Sequence, residues 1–412
     1  MASTSLILGL SLIVGLYMAW NIGANDVANA MGTSVGSGAV TFRQAVVLAG
    51  ICELLGAVLV GGHVTQTIRN GIVDPAVFAT DVNVLIAGML SALVGAALWL
   101  HIATYFGLPV STTHSIVGSV FGFGLLYGGA GSVHWGKIGE IVLSWVISPV
   151  VGALIGFIVF SYIHHRVFKA EHPAVAAQRV APGLVFPVIT ILVLSIFYKG
   201  LHTKLSFMHA LMIAAALGII GSIALYAFLK RSWQDCEGLS YSDQLKRVEG
   251  IFRYLQICTA CYVAFAHGAN DVANAVGPMA GIYAAIKTQA LVEQAPVPVW
   301  ILGVGAIGIV VGLATWGYKV IATIGEKITE MTPTRGFSAE FACATTVLAC
   351  SKMGLPVSTT HTIVGSVVGV GLARGIASID RKVILNIIYS WIITIPASAI
   401  LCVLIFQIIS RI

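Results

Sequence analysis

Apolar residues come in long runs along this chain, with neither strand-like alternation nor the one-sided stripe of a water-soluble helix. Roughly twelve stretches are apolar enough to read as membrane helices. They centre near 5–24, 43–62, 83–104, 111–127, 138–162, 184–198, 209–229, 251–269, 297–323, 338–353, 359–373 and 383–410. A crossing helix needs about 20 such residues, so little of the 412-residue chain is left for a soluble domain. The two longest polar connections are 164–182 and 230–250. Composition agrees. Hydrophobic residues make up 58% and charged residues 9%, against about 25% charged in soluble proteins. The pattern predicts an all-α integral membrane protein.

The chain also repeats itself. Gly23-Ala24-Asn25-Asp26-Val27-Ala28-Asn29-Ala30 returns unchanged as Gly268–Ala275, an offset of 245 residues. Gly107-Leu108-Pro109-Val110-Ser111-Thr112-Thr113-His114 returns as Gly354–His361, an offset of 247. Ser144-Trp145 matches Ser390-Trp391. We expect a first repeat over 1–163, linker helices and a polar loop over 164–250, and a second repeat over 251–412. If all twelve stretches cross, an odd number of crossings separates the copies, and they face opposite ways. Inverted repeats are a transporter design, with the substrate near the midplane and helices broken around it. The parity depends on the short, glycine-rich fourth stretch, which could re-enter rather than cross.

The charge of +6 bears on orientation, and gives no reason to expect a nucleic-acid partner. On the same twelve crossings, the N-terminal side collects Arg69, Lys137, Lys199, Lys204, Lys287, Lys352 and Arg411. The other fifteen of the twenty-two basic residues fall on the opposite side, with clusters at Arg166/Lys169/Arg179, Lys230/Arg231, Lys246/Arg247/Arg253 and Arg381/Lys382. Positive charge stays in the cytoplasm, so both termini are expected outside. Residues 1–20 lack a basic start and a small-residue cleavage site, so no cleavable signal peptide is expected. Cys258 and Cys261 read as small buried helix residues rather than a redox pair.

The first motif puts Asn25, Asp26 and Asn29 inside an apolar stretch. Inserting the Asp alone costs about 2.5–3.5 kcal/mol. Asn25 and Asn29 share a helical face, and unwinding near Gly23 would add carbonyls. Oxygen-rich groups of this kind suit a hard cation, so Asn25, Asp26, Asn29, Asn270, Asp271 and Asn274 are candidate cation ligands. The bland alternative is polar glue between helices, which two identical copies make less attractive. The flanks differ: Asn21-Ile22 precedes the first copy and Ala266-His267 the second.

In the second motif the proline ends one helix and Ser111 or Ser358 caps the next. A helix start offers free N–H groups and a partial positive charge, and the hydroxyls add donors. Ser111, Thr112, Thr113, Ser358, Thr359 and Thr360 are therefore candidate anion ligands, built without lysine or arginine. The alternative is ordinary capping. His114 and His361 are expected to brace the turn. Glu53 and Glu340 are lone carboxylates in apolar stretches, and functional candidates for that reason. They are not repeat equivalents, since the offset sets Leu93 opposite Glu340.

The duplicated G-A-N-D-V-A-N-A together with the duplicated G-L-P-V-S-T-T-H resembles the inorganic phosphate transporter family over essentially the whole chain. The resemblance implies about twelve helices in an inverted repeat and phosphate symport coupled to sodium or protons, with no cofactor and no enzymatic activity. It also implies that both motif pairs line the phosphate and cation sites, and it matches Glu53 and Glu340 to acids important in that family. The short 230–250 loop points to a prokaryotic plasma membrane. Sodium is favoured over protons by the Asn carbonyls, and more than one cation per phosphate by the excess of negative charge. Proton coupling, another oxyanion, a passive anion channel and an intramembrane hydrolase are the competing readings. A homo-oligomer is compatible with the sequence.

Overall fold

In the computed structural model the described residues are 4–411 apart from 75–76, 78–80, 199–204, 234–237, 289–296, 322–329 and 376–379. Lys199 and Lys204 of the charge tally lie outside them, as does the side chain of Arg69. The first half contains α1 (Thr4–Gly36), α2 (Phe42–Val60), α3 (Gly62–Asn70), α4 (Val82–Tyr105), α5 (Thr112–Gly128) and α6 (Trp135–Ile163). A π-helical turn, His164–Phe168, follows α6, and α7 (Pro173–Phe197) and α8 (Phe207–Ser232) pair with each other as the linker. The second half contains α9 (Tyr241–Thr288), α10 (Val299–Trp316), α11 (Pro333–Lys352), α12 (Thr359–Arg374) and α13 (Arg381–Ile409). Eight of these helices are long and apolar enough to cross a membrane: α1, α2, α4, α6 with its π turn, α7, α8, α10 and α13.

The twelve apolar stretches are all helical, but they do not make twelve crossings. Gly88 near the start of α4 lies against the Phe123 ring near the end of α5, and both helix ends sit by Phe406 at the end of α13. Thr334 and Arg335 at the start of α11 likewise share a cavity with Ala373 and Arg374 at the end of α12. Each of these pairs therefore doubles back. α4–α5 is a re-entrant hairpin from the face where α1 begins, and α11–α12 is one from the face where α1 ends. Removing two crossings together leaves the parity odd, so the copies are still inverted.

A second expectation fails. The first motif does not unwind its helix: α1 runs unbroken through Gly23 and α9 through Gly268. Those glycines serve close packing instead. A Cβ on Gly23 would fall 1.9 Å from the Ile309 carbonyl oxygen of α10, and one on Gly268 would fall 2.2 Å from the Glu53 carbonyl oxygen of α2. The breaks lie in the second motif, where Gly107 (φ 66°) and Gly354 (φ 70°) take the left-handed turn that ends α4 and α11.

The halves interlock. α1 packs along α10 and α2 along α9, while α5 packs on α13 and α12 on α6. Glycines at 118, 122, 365 and 369 let the last two pairs approach, through Ile395, Ala399, Pro149 and Ala153. The apolar core forms two clusters, each mixing residues of both repeats.

Candidate functional site

The hairpins enter from opposite faces and their tips meet beside the unbroken motifs of α1 and α9. Each tip opens its second helix with a serine cap: Ser111 Oγ accepts from the His114 N–H (3.1 Å), and Ser358 Oγ from the His361 N–H (3.1 Å). Thr113 Oγ1 donates to the Val357 carbonyl (3.0 Å) and Thr360 Oγ1 to the Val110 carbonyl (3.2 Å), so each tip holds the other. The first-turn N–H groups beyond the cap have no intrahelical acceptor.

The carboxylates sit against these tips. Thr112 Oγ1 donates to Asp26 Oδ2 at 2.7 Å, and Thr359 Oγ1 to Asp271 Oδ2 at 2.8 Å. Asn29 Nδ2 donates to Asp26 Oδ1 (2.9 Å) and to the other repeat's Thr360 (2.9 Å) and Thr359 (3.3 Å). Asn274 Nδ2 mirrors it, donating to Asp271 Oδ1 (3.4 Å), Thr112 (3.2 Å) and Thr113 (3.3 Å). Asn25 Nδ2 turns to the hairpin chain, donating to Thr104 Oγ1 and the Leu108 carbonyl, while Asn270 Nδ2 donates both to Asp271 Oδ1 (2.6 Å) and to the Val357 carbonyl (2.8 Å). All twelve candidate ligands are buried. They converge on one centre with approximate two-fold symmetry.

Burial leaves specific atoms without partners. Asn29 Oδ1 and Asn274 Oδ1 are buried acceptors with no donor among the described residues, at equivalent places in the two repeats. A buried amide oxygen without a partner costs about 1–3 kcal/mol. Two matched cases beside two carboxylates form an oxygen set suited to a hard cation.

The remaining candidates are placed unevenly. Glu53 lies one layer outside the centre, where its Oε1 is 2.9 Å from His267 Nδ1. His267 Nε2 lies 2.9 Å from Asp271 Oδ2 and 3.6 Å from Asp26 Oδ2, close enough for charge but without hydrogen-bond alignment. The imidazole thus joins Glu53 to both aspartates. Sequence reasoning gave His267 no role; the signal was its replacement of Ile22 in the flank of an otherwise identical motif. Glu340 stands apart from this group. Its Oε1 accepts from Thr33 (2.7 Å), Ser34 (2.6 Å) and Gln256 (3.1 Å), and its Oε2 from Thr259 (2.7 Å). It lies toward the face where α1 ends, and its repeat counterpart Leu93 is buried in apolar packing. His114 and His361 face away from the carboxylates. His114 lies tilted 3.8 Å from Trp145, His361 stacks on Trp391 at 3.6 Å, and the two imidazoles meet edge-on at 4.4 Å.

Residues 22–402 match the model of the Phosphate transporter family. The chain belongs to the phosphate transporter family. Among its relatives, a protein of Pyrococcus abyssi that carries the name of a phosphate permease is 47% identical over 403 residues, covering 97% of each chain. Inorganic phosphate transporter 2-1, chloroplastic, of Arabidopsis thaliana is 47% identical over 426 residues, covering 97% of this chain and 72% of its own. The solved structure of a sodium-dependent phosphate transporter superposes with a TM-score of 0.93 at 41% identity, covering 98% of this chain and 99% of that one. This phosphate transporter family member is accordingly a multi-pass membrane transporter and not an enzyme.

Proposed function

We propose that this chain is a sodium-coupled symporter of inorganic phosphate, carrying more than one sodium ion with each phosphate. The observation that carries the reading is the matched pair of orphaned acceptors, Asn29 Oδ1 and Asn274 Oδ1, beside Asp26 and Asp271. Sodium ions are the partners those oxygens lack. Phosphate is taken between the hairpin tips by Ser111, Thr112, Thr113 and Ser358, Thr359, Thr360, through hydroxyls and the free N–H groups of the two helix starts. The first threonine of each tip donates to an aspartate. Sodium bound at the aspartates competes for those carboxylate oxygens and releases the hydroxyls to the phosphate.

Charge explains the need for several cations. Glu53 and His267 contact each other outside the ligand set, 2.9 Å apart. Asp26 and Asp271, when ionised, add about −2, phosphate brings −1 to −2, and two helix starts return only about +0.5 each. Burying the remainder uncompensated is prohibitive. On the order of two monovalent cations bring the centre near neutrality. Glu53, His267 and Glu340 support transport from outside the ligand set, as do His114 and His361 behind the tips. The short 230–250 loop favours a prokaryotic inner membrane, and the distribution of basic residues favours both termini outside.

The test is uptake of labelled phosphate into proteoliposomes with sodium and proton gradients imposed one at a time. The reading expects uptake driven by sodium at equal pH. Uptake driven only by the proton gradient would transfer the same site to proton symport, which the shared charge argument also allows. Accumulation with neither gradient would overturn both.

A further inference from the structure

The two hairpins have matching tips and different bases. At the base of α4–α5 the space is filled: the Phe123 and Phe406 rings lie 5.0 Å apart, and Tyr127 meets Phe406 edge-on at 6.1 Å. The repeat offset sets Arg335 where α4 has Gly88, and Arg374 where α5 has Tyr127. There the base of α11–α12 is open. A cavity of about 300 Å³ lies between Phe160, His164, Phe168, Glu249, Arg335 and Arg374.

The cavity has an aromatic wall and one that carries two guanidinium groups. Phe160, His164 and Phe168 stack in sequence at 6.3 and 6.0 Å along the end of α6 and its π turn. Opposite them, two guanidinium groups share one carboxylate. Arg335 Nη1 donates to the Glu330 carbonyl (2.9 Å) and to Glu330 Oε2 (3.1 Å), while Arg374 Nη2 is 3.6 Å from that same oxygen. The Glu330 side chain is 77% exposed, whereas Arg335 and Arg374 are 17% and 26% exposed. Glu249 also lines the cavity, but its carboxylate is turned to the Thr334 N–H and Oγ1, both at 2.9 Å, and among the described residues it pairs with neither arginine. An exposed ion pair holds its partner weakly. Half-buried guanidinium groups side by side suit an oxyanion that accepts from both.

We propose that this cavity is a second phosphate-group site, at the face where α1 ends and apart from the hairpin tips. Its occupant is either inorganic phosphate or the phosphate of a lipid headgroup seated against the aromatic wall. The site does not depend on the sodium-coupled reading.

Equilibrium dialysis of labelled inorganic phosphate against the full chain in neutral, lipid-free detergent tests the first source. Arg335→Gln/Arg374→Gln should remove one class of phosphate binding, with a loss on the order of tenfold in its affinity. Arg335→Lys/Arg374→Lys should keep part of it. Thr112→Val/Thr359→Val should weaken a different class, so failure at the tips is read separately. Thermal unfolding in vesicles of neutral lipid, with and without phosphatidylglycerol, tests the second source. If the lipid is the occupant, the anionic vesicles raise the midpoint of the native chain and not that of the glutamine variant. A glutamine variant that matches the native chain in both assays overturns the proposal.

Discussion

In the first repeat Ile22 precedes the motif glycine, and that glycine packs against Ile309. At the corresponding places in the second repeat stand His267 and Glu53. Similarly, Glu340 with its four donors in the second repeat corresponds to Leu93 in the first. Yet inside this shell the repeats agree closely where the tips meet the carboxylates, with Thr112 on Asp26 at 2.7 Å and Thr359 on Asp271 at 2.8 Å. One inference follows from the contrast. The ligand centre keeps two-fold symmetry because both repeats contribute to it. The shell breaks symmetry through Glu53, His267 and Glu340, so the two repeats surround the centre with different charge; on the sodium-coupled reading proposed above, the two cation half-sites are then not interchangeable.

The strongest blow to the comparison falls on its symmetric part. Asp26→Asn and Asp271→Asn should each abolish most coupled uptake. Breaking a buried charged network costs about 3–5 kcal/mol, on the order of a hundredfold or more in transport. The two losses should be unequal, because only Asp271 lies within 3 Å of His267. Full coupled uptake by either variant would remove that half from the cation site.

The asymmetric shell can be broken in two ways that differ in outcome. Glu53→Ile alone leaves His267 buried among carboxylates without its partner, and should lower stability by about 3–5 kcal/mol. Glu53→Ile with His267→Ile copies the first repeat's own pair and should recover most of that loss, while transport stays low. Thermal unfolding of the two variants decides it. Equal destabilisation would mean that the pair is not a unit.

Smaller changes sharpen the symmetry. Thr112→Val and Thr359→Val keep shape and lose a donor, so each should weaken phosphate binding by about 1–3 kcal/mol, and by similar amounts. Titration calorimetry with inorganic phosphate is the check; unchanged affinity in both would take the tips out of the phosphate site. Ser111→Ala and Ser358→Ala should cost least, about 1 kcal/mol of stability each. A large difference between them would show that the tips are not equivalent caps.

Much of this was legible because membrane burial writes itself into sequence. Apolar runs gave the helices, and repeated octets gave the pairing of the halves. Polar residues placed where insertion is costly gave Asn25, Asp26 and Asn29 with their copies. What stayed hidden depended on depth and contact. The sequence left open whether the short fourth stretch re-enters or crosses, because apolar length alone does not report depth; the position of the buried Ser111 tip shows that α5 starts inside the bundle. Gly23 read as a point of unwinding because glycine both breaks helices and permits close packing, and only the Ile309 carbonyl decides between them. Glu53 and His267 lie 214 residues apart, and nothing local links them.

The central claim is that one shared centre binds phosphate with more than one sodium ion. The most direct test is the sodium dependence of initial phosphate uptake at fixed pH, with the charge moved per phosphate recorded in the same proteoliposomes. The account predicts a sigmoidal rise with sodium and a charge count that requires at least two cations for each phosphate. A flat response to sodium would contradict the coupling, and a hyperbolic rise with one cation per phosphate would contradict the shared, doubly loaded centre.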